Sequence, residues 1–490
     1  MDWLRSHSWQ VTFLVGYLFL LAYHAWHGSR KSKSLDDFLV GGRGIGGIVI
    51  ALSYYATFVS SVTFVGHSGK SYTRGPAWWL TCVVVFTVMV FLAWFVVAPP
   101  FVKASRKVGA LTIPDFLGHR YKSKWIRRLS AIVIVAASVV YMAAVYDGAA
   151  RLSESLFDAS PSVVMIAIFL IVTTYTLSGG FHSVVATDAV QGLILFGGAI
   201  VLPAAMIFQK GGIGPLLTSV REANPDALNW TGDVPLATMI GLALGVGLKI
   251  VVEPRQLSRF YGLSSDEQLR HGRWIAPAML FLTFACMLPV GFLAHAYVPA
   301  ADVMESGKVQ SDLVVPHLLS PNVNVLGTVL GAFFMTALAA AAMSSLDSVL
   351  LVAASSVDHD LISPNRDPRA AMQWTRLWIL ILSATAATLA LIRAQGIVEL
   401  SSFSGSLYAA CFLPSLVVGL FWKRATRIGA LTSLIVGFTV TTAWFFAKKS
   451  ASFESISWIH EVYVGMTISL ACYVVVSQTI QERQSETRGQ

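Results

Sequence analysis

Charge is what this chain of 490 residues has least of: aspartate, glutamate, lysine and arginine together make up 12%, where a soluble domain carries about a quarter. So little polar surface cannot cover a water-soluble globule of this length. Cysteine is scarce too. Cys82, Cys286, Cys411 and Cys472 all fall inside apolar segments, without the spacing of a disulfide framework or a metal centre. No phosphate-cradling P-loop, HExxH or GxSxG is present. Nothing therefore indicates ATP hydrolysis or covalent catalysis, and the chain reads as a non-enzyme without an organic cofactor. Its formal charge of +9 is spread through short loops and forms no single patch, which excludes a nucleic-acid surface. Period-two alternation is also missing. Runs such as AIVIVAASVVYMAAV, 131–145, do not alternate as the strands of a membrane barrel do.

What is there is apolar and long. Hydrophobic residues make up 55% of the chain, and stretches of about 20 recur from end to end, each enough to cross a hydrocarbon core roughly 30 Å thick. Lipid offers the backbone no hydrogen-bond partner, so the spans are helices. The fold class is an all-α membrane protein with about thirteen transmembrane helices, near 9–27, 45–72, 77–101, 129–156, 161–178, 183–208, 235–254, 273–297, 323–355, 374–393, 397–421, 427–447 and 459–480. No soluble domain fits between them. The first apolar segment is long and its basic cluster follows it, so it reads as a retained helix rather than a cleaved signal. With the N-terminus outside, most of the 35 lysines and arginines fall in cytoplasmic segments, among them Arg43, Lys103, Arg106, Arg120, Arg127, Arg255, Arg259, Arg273, Lys423 and Arg427. That bias fits the positive-inside rule and puts the C-terminus in the cytoplasm of a multi-pass protein of the cell (inner) membrane, with lipid as its surroundings.

The informative residues in such a chain are the polar ones placed in the bilayer, because they are costly there. The second span sets Ser53, Thr57, Ser60, Ser61 and Thr63 near mid-membrane, the first four on one helical face. Such hydroxyls either bond back to a helix or line a broken helix whose freed carbonyls coordinate a cation or solute. The ninth span carries small residues from Ala337 to Ala342, then Ser344, Ser345, Asp347 and Ser348. An oxygen-rich cluster with one negative charge suits a hard cation such as sodium. TLSGGFHSVVATDAVQG, 176–192, has a glycine turn and then a helix with Asp188 and Gln191. Asp188 either caps a helix or pairs with Asp347 in a second cation site. Lys249 and Glu253, four apart at the inner end of the seventh span, read as an intrahelical pair with a snorkelling lysine; the alternative is that Lys249 attracts an anionic substrate. Trp78 and Trp79 read as interfacial anchors rather than pocket residues beside Tyr141, Tyr146 and Asp147.

At three of these segments the chain resembles the sodium:solute symporter family: FLVGGRGIGGIVIALSYYATFVSSVTFVG, YTLSGGFHSVVATDAVQG and AAMSSLDSVLLVAASSVDHDL. The resemblance extends over nearly the whole chain, with a flavour of members handling proline, pantothenate or monocarboxylates. It implies one transmembrane domain with a leucine-transporter-like fold: two inverted five-helix repeats, here 45–208 and 235–421, with one helix before, 9–27, and two after, 427–480. The first helix of each repeat would be interrupted at the solute site. The implied sodium site uses the carbonyls of Ala56, Val59 and Ala341 and the hydroxyls of Ser344 and Ser345. A second sodium or proton site would join Asp188 to Ser344, Asp347 and Ser348, although two-sodium members carry serine where this chain has Asp347. Solute contacts fall on Thr57, Ser60, Ser61 and Thr63, with Ser404 and Tyr408 of the eleventh span as lining or gate. The implied function is symport: sodium flowing inward drives uptake of a small solute, carboxylate-bearing by the chemistry of hydroxyls and helix-end amides. The alternatives are proton coupling and a symporter-like sensor, which would need a separate signalling protein since no such module follows the last span. A channel would show a continuous polar lining instead of isolated clusters.

Overall fold

The computed structural model describes residues 8–31, 34–157, 160–230, 234–305, 307–320, 322–362, 367–391 and 396–489. Among these the architecture is helical throughout, relieved by one short hairpin that pairs Met304–Glu305 with Lys308–Val309. The main helices are α1, Ser8–Lys31; α2, Gly47–Phe58; α3, Val62–Val108; α4, Lys124–Phe157; α5, Pro161–Gln209; α6, Leu236–Gly247; and α7, Pro254–Tyr261. They continue with α8, Ile275–Met287; α9, Gly327–Ser355; α10, Pro368–Leu391; α11, Ile397–Phe412; α12, Arg427–Ala447; and α13, Glu461–Gly489. The final two residues of the expected span 374–393 lie outside the described residues.

Ten helical runs among the described residues are long and apolar enough to cross a membrane, and Gly47–Phe58 and Ser162–Leu177 are shorter apolar helices. The exterior is apolar: Phe208 is 85% exposed, Phe19 73%, and Val163 and Val475 60% each. Side chains of this kind are satisfied by lipid and not by water.

Two glycine corners divide long continuous helical runs. Straight, the 49 residues of α5 would measure roughly 74 Å, more than twice the hydrocarbon thickness. Gly180, at φ 58° and ψ −160°, divides it. Gly75, at φ 64° and ψ −163°, divides α3 in the same way, ahead of Pro76. Only glycine occupies that backbone region comfortably. There is also no room for a side chain: a Cβ on Gly180 would stand 2.6 Å from the Phe38 ring, and one on Gly75 2.6 Å from the Asn229 carbonyl. Gly180→Ala is therefore expected to cost about 1–3 kcal/mol through backbone strain, with overpacking added to it. An unchanged thermal midpoint for the purified variant would count against this corner.

Both expected interruptions, in the spans 45–72 and 235–254, are present. α2 stops at Phe58, and Val59 is extended (φ −73°, ψ 115°) before helix resumes. The seventh span passes from α6 through Lys249–Val252 to an extended Glu253 (φ −71°, ψ 129°). It then restarts as α7 behind Pro254, which suits the first position of a helix because it has no N–H to leave unpaired. The span thus runs to Tyr261 rather than ending at 254. Arg255 and Arg259, counted in a cytoplasmic segment, are 2% and 0% exposed inside the fold. The charge rule counts them from an assumed helix end at 254, which the restart at Pro254 moves.

Candidate functional site

The break after α2 leaves carbonyls without intrahelical partners. Hydroxyls of the break serve the new helix start: Val62 N donates to Ser60 Oγ at 3.2 Å and Ser60 N to Thr63 Oγ1 at 3.4 Å. The freed carbonyls instead face α9. Its small residues permit the approach, and Ser344, Ser345, Asp347 and Ser348 are all 0% exposed. Ser344 Oγ donates to Ala56 O at 3.0 Å and to Ala341 O at 3.3 Å. Ser345 Oγ donates to Thr57 O at 3.3 Å. Val59 sits in the break itself, its N–H still donating to Tyr55 O at 3.0 Å. Ala56, Ala341, Ser344 and Ser345 are thus gathered in one place, with Thr57 contributing a carbonyl that the sequence did not single out. Oxygens of this kind, neutral and converging, can hold a weakly bound hard cation.

One helical turn away lies a charged cluster. Asp188 Oδ2 accepts from Ser53 Oγ at 2.8 Å, Thr57 Oγ1 at 3.2 Å and Arg259 Nη2 at 2.9 Å. Arg259 also donates to Thr57 Oγ1, through Nε at 3.3 Å, and to the Ser348 hydroxyl. Ser348 Oγ donates in turn to Asp347 Oδ1 at 3.0 Å, and Tyr175 OH donates to Asp347 Oδ2 at 2.7 Å. Asp188 and Asp347 therefore do come together, bridged by Ser348. Of the expected second-site residues, only Ser344 belongs to the neighbouring carbonyl group instead. Sequence reasoning missed Tyr175 and Arg259, and the Arg259 guanidinium already lies among these oxygens. The available signal was Pro254 after Glu253, which restarts a helix and carries the arginine inward.

A third feature is a narrow cavity of ≈ 10 Å³ beside the break, barely room for one water. Ser60, Thr63, His67, Tyr141, Lys249, Arg255 and Ser401 are among its lining residues. Lys249 is 1% exposed and does not snorkel. Its ammonium donates to Ser401 Oγ at 3.0 Å and stands 3.8 Å from the centre of the Tyr141 ring. Glu253 pairs with Arg255 at 2.9 Å. The expected Lys249–Glu253 pairing gives way although Glu253 N–H still donates to Lys249 O at 2.9 Å: the lysine side chain turns to Ser401 and Tyr141, and the carboxylate to Arg255. Trp78 is no interfacial anchor either: it is 0% exposed and stacked on His67 at 5.6 Å.

The remaining candidates lie elsewhere. Thr57 turns its side chain to Asp188 and Arg259. Ser61 Oγ donates to Val145 O at 3.2 Å, Ser404 Oγ to Ala137 O at 2.8 Å, and Tyr408 OH meets Ser138 Oγ at 2.9 Å. These three join the break and α11 to α4, and only Ser60 and Thr63 of the hydroxyl set face the cavity. Tyr146 pairs with Ser383 at 2.7 Å, away from the cavity.

Among the described residues, Asp115, His359 and Asp360 bring possible metal-ligating atoms within 4.8 Å of one another. Arg127 already pairs with Asp115 at 3.1 Å and with Asp360 at 2.7 Å, so this is an ion-pair network tying the short helix Ile113–Arg120 to the end of the ninth span. Burial pushes the Asp115 carboxyl up, but the hydrogen bond from His359 and the charge of Arg127 more than offset it and hold it below the usual carboxylate range.

Comparison with known proteins agrees with these features. A family model described as the sodium:solute symporter family matches residues 38–437. The sodium/pantothenate symporter of Haemophilus influenzae is 30% identical over 430 residues, covering 86% of this chain and 86% of the relative. The sodium/proline symporter of Escherichia coli is 29% identical over 445 residues, covering 89% of this chain and 87% of the relative. A solved Na+-coupled sialic acid symporter, substrate-bound and outward-open, superposes with a TM-score of 0.79 at 20% identity over 96% of this chain and 98% of that one. At that identity the likeness speaks for the fold alone. With four-fifths of its length inside the family model and relatives matched nearly end to end, the chain belongs to the sodium:solute symporter family.

Proposed function

We propose that this member couples inward sodium flow to uptake of a small carboxylate-bearing solute by alternating access. In this reading one transmembrane domain, built as two inverted five-helix repeats, lies in the cell membrane with its N-terminus outside and its C-terminus in the cytoplasm. The observation that carries the reading is the meeting of Ser344 and Ser345 with the carbonyls of Ala56 and Thr57 across the break. Each hydroxyl now spends its hydrogen on a carbonyl. A sodium ion between them takes the oxygens of both, draws α9 against α2, and orders the end of the broken helix that borders the cavity. Val59 and Ala341 complete its shell.

The coupling is a difference in affinity. Sodium has to bind the outward-open state better than the inward-open one, and the solute has to favour closure. The membrane potential adds roughly 2.3 kcal/mol per charge per 100 mV. A further cation at Asp188, Ser344, Asp347 and Ser348 would share the oxygens of Asp188 and Ser348 with Arg259, so the carbonyl group is the primary sodium site. The test is uptake of labelled proline, pantothenate, lactate, pyruvate and acetate into proteoliposomes, with and without an inward sodium gradient. Accumulation of one solute that requires sodium is expected. Uptake that ignores sodium and follows a pH gradient would replace this mechanism with proton coupling. Solute binding without uptake would favour a sensor.

A further inference from the structure

A groove of ≈ 630 Å³ runs along the outside of the fold, between α1 and the part of α5 that precedes Gly180. Its α1 wall extends from Leu18 to Trp26, roughly 12 Å of helix. Ala22 and Ala25 set that wall back, and Leu170 and Tyr175 face it from α5. Tyr175 cannot swing out to fill the space, because its hydroxyl is held inward by Asp347 Oδ2 at 2.7 Å. The lining is mostly apolar. Phe19, Tyr23 and Leu170, on and beside it, are exposed, as lipid-facing side chains are. At the end of the groove nearest the C-terminus of α1, the guanidinium of Arg30 lies 3.8 Å from the centre of the Trp26 ring. An aromatic face attracts a cation without neutralising it. Tryptophan and arginine at the end of a spanning helix stand at the depth of the headgroups.

We propose that this groove binds one anionic phospholipid, with an acyl chain lying along α1 between Ala22 and Tyr175 and the phosphate meeting Arg30. The bilayer decides the class of occupant. An apolar groove that faces hydrocarbon is filled by hydrocarbon, since water there would find too few polar partners. A helix from a second copy of this chain, roughly 10 Å across, would take up about 900 Å³ over the same length, more than the groove holds. A slender chain of methylenes fits within it. Arg30 decides the headgroup. Its positive charge stands at the end of the groove, so a headgroup with net negative charge gains an attraction that a zwitterionic one does not. The site is independent of the sodium mechanism and stands or falls without it.

The experiment is native mass spectrometry and thermal unfolding of the purified, delipidated protein with dioleoyl phosphatidylglycerol, dioleoyl phosphatidylcholine or glycerol phosphate added. Phosphatidylglycerol is expected to be retained best and to raise the midpoint most. Phosphatidylcholine should bind more weakly, and glycerol phosphate, which has the charge without the chain, should have no effect. Arg30→Gln should weaken phosphatidylglycerol about fivefold and bring it level with phosphatidylcholine. Ala22→Phe puts a ring into the groove and should weaken both lipids together. Lys107→Gln removes an exposed cation elsewhere and should change neither. Arg30 is itself exposed, so its variant tests the proposal even if Ala22→Phe does not fold. Equal binding of the two lipids by the unaltered protein, a preference for phosphatidylglycerol that survives Arg30→Gln, or the same loss in Lys107→Gln would each overturn the proposal. So would a midpoint that rises with protein concentration and not with lipid, which would give the groove to a second copy.

Discussion

Alanine at Ser345, or separately at Ser344, is expected to weaken apparent sodium affinity about ten- to a hundredfold and to leave little sodium-driven uptake. Each hydroxyl is fully buried and reaches across from α9 to a carbonyl at the end of α2. Removing it deletes one of few neutral oxygens and leaves the Ala56 or Thr57 carbonyl short of a partner. Interactions with an ion contribute about 1.5–3 kcal/mol apiece, which sets the range. Threonine at either position keeps the oxygen and should retain most of the affinity. The measurement is solute uptake titrated with sodium at fixed potential. An alanine variant with an unaltered sodium half-saturation would remove these serines from the site.

The second large effect concerns Arg259. Arg259→Met leaves Asp188 buried at 0% exposure without its cation, and breaking a buried ion pair by deleting one partner costs about 3–5 kcal/mol. Asp188→Asn should cost a similar amount from the other side. Combining the two removes both charges together, so the double variant should recover a large part of the thermal midpoint lost in either single one. Strict additivity of the two losses would show that the pair is not coupled. The pair joins α7 to α5, and through Thr57 and Ser348 it also touches α2 and α9, so transport is expected to suffer even where the protein folds.

How much of this was legible beforehand depends on what each residue costs the membrane. Ser344, Ser345, Asp188 and Asp347 stood out because hydroxyls and carboxylates are expensive within apolar runs. The family resemblance supplied the pairing of Ser344 with the Ala56 carbonyl, which no periodicity contains. Arg259 escaped notice because a basic residue just past a predicted helix end looks like an ordinary inner-surface arginine. Only the restart at Pro254 carries it into the core. Lys249 was noticed but given to Glu253 by helical spacing, a rule that places two side chains on one face without saying which other neighbours compete for them; here Ser401 and Tyr141 take the lysine and Arg255 the carboxylate. Thr57 was assigned to the solute with the hydroxyls whose helical face it shares, and Tyr408 from the family resemblance, yet neither says which neighbour a side chain meets. Trp78 misled for a related reason: the end of one span is also the beginning of a corner, and Gly75 folds it inward.

The corners at Gly75 and Gly180 have a practical consequence. Helix passes into helix at both points with no polar connection, and both glycines are packed against other parts of the chain. Epitope tags, protease sites and reporter fusions are tolerated where backbone is exposed and loosely held, so insertions at these two points should abolish expression instead of reporting sidedness. The segments around Ile213–Ala223 and Ala300–Val303, with several exposed residues in each, are the places to put such probes.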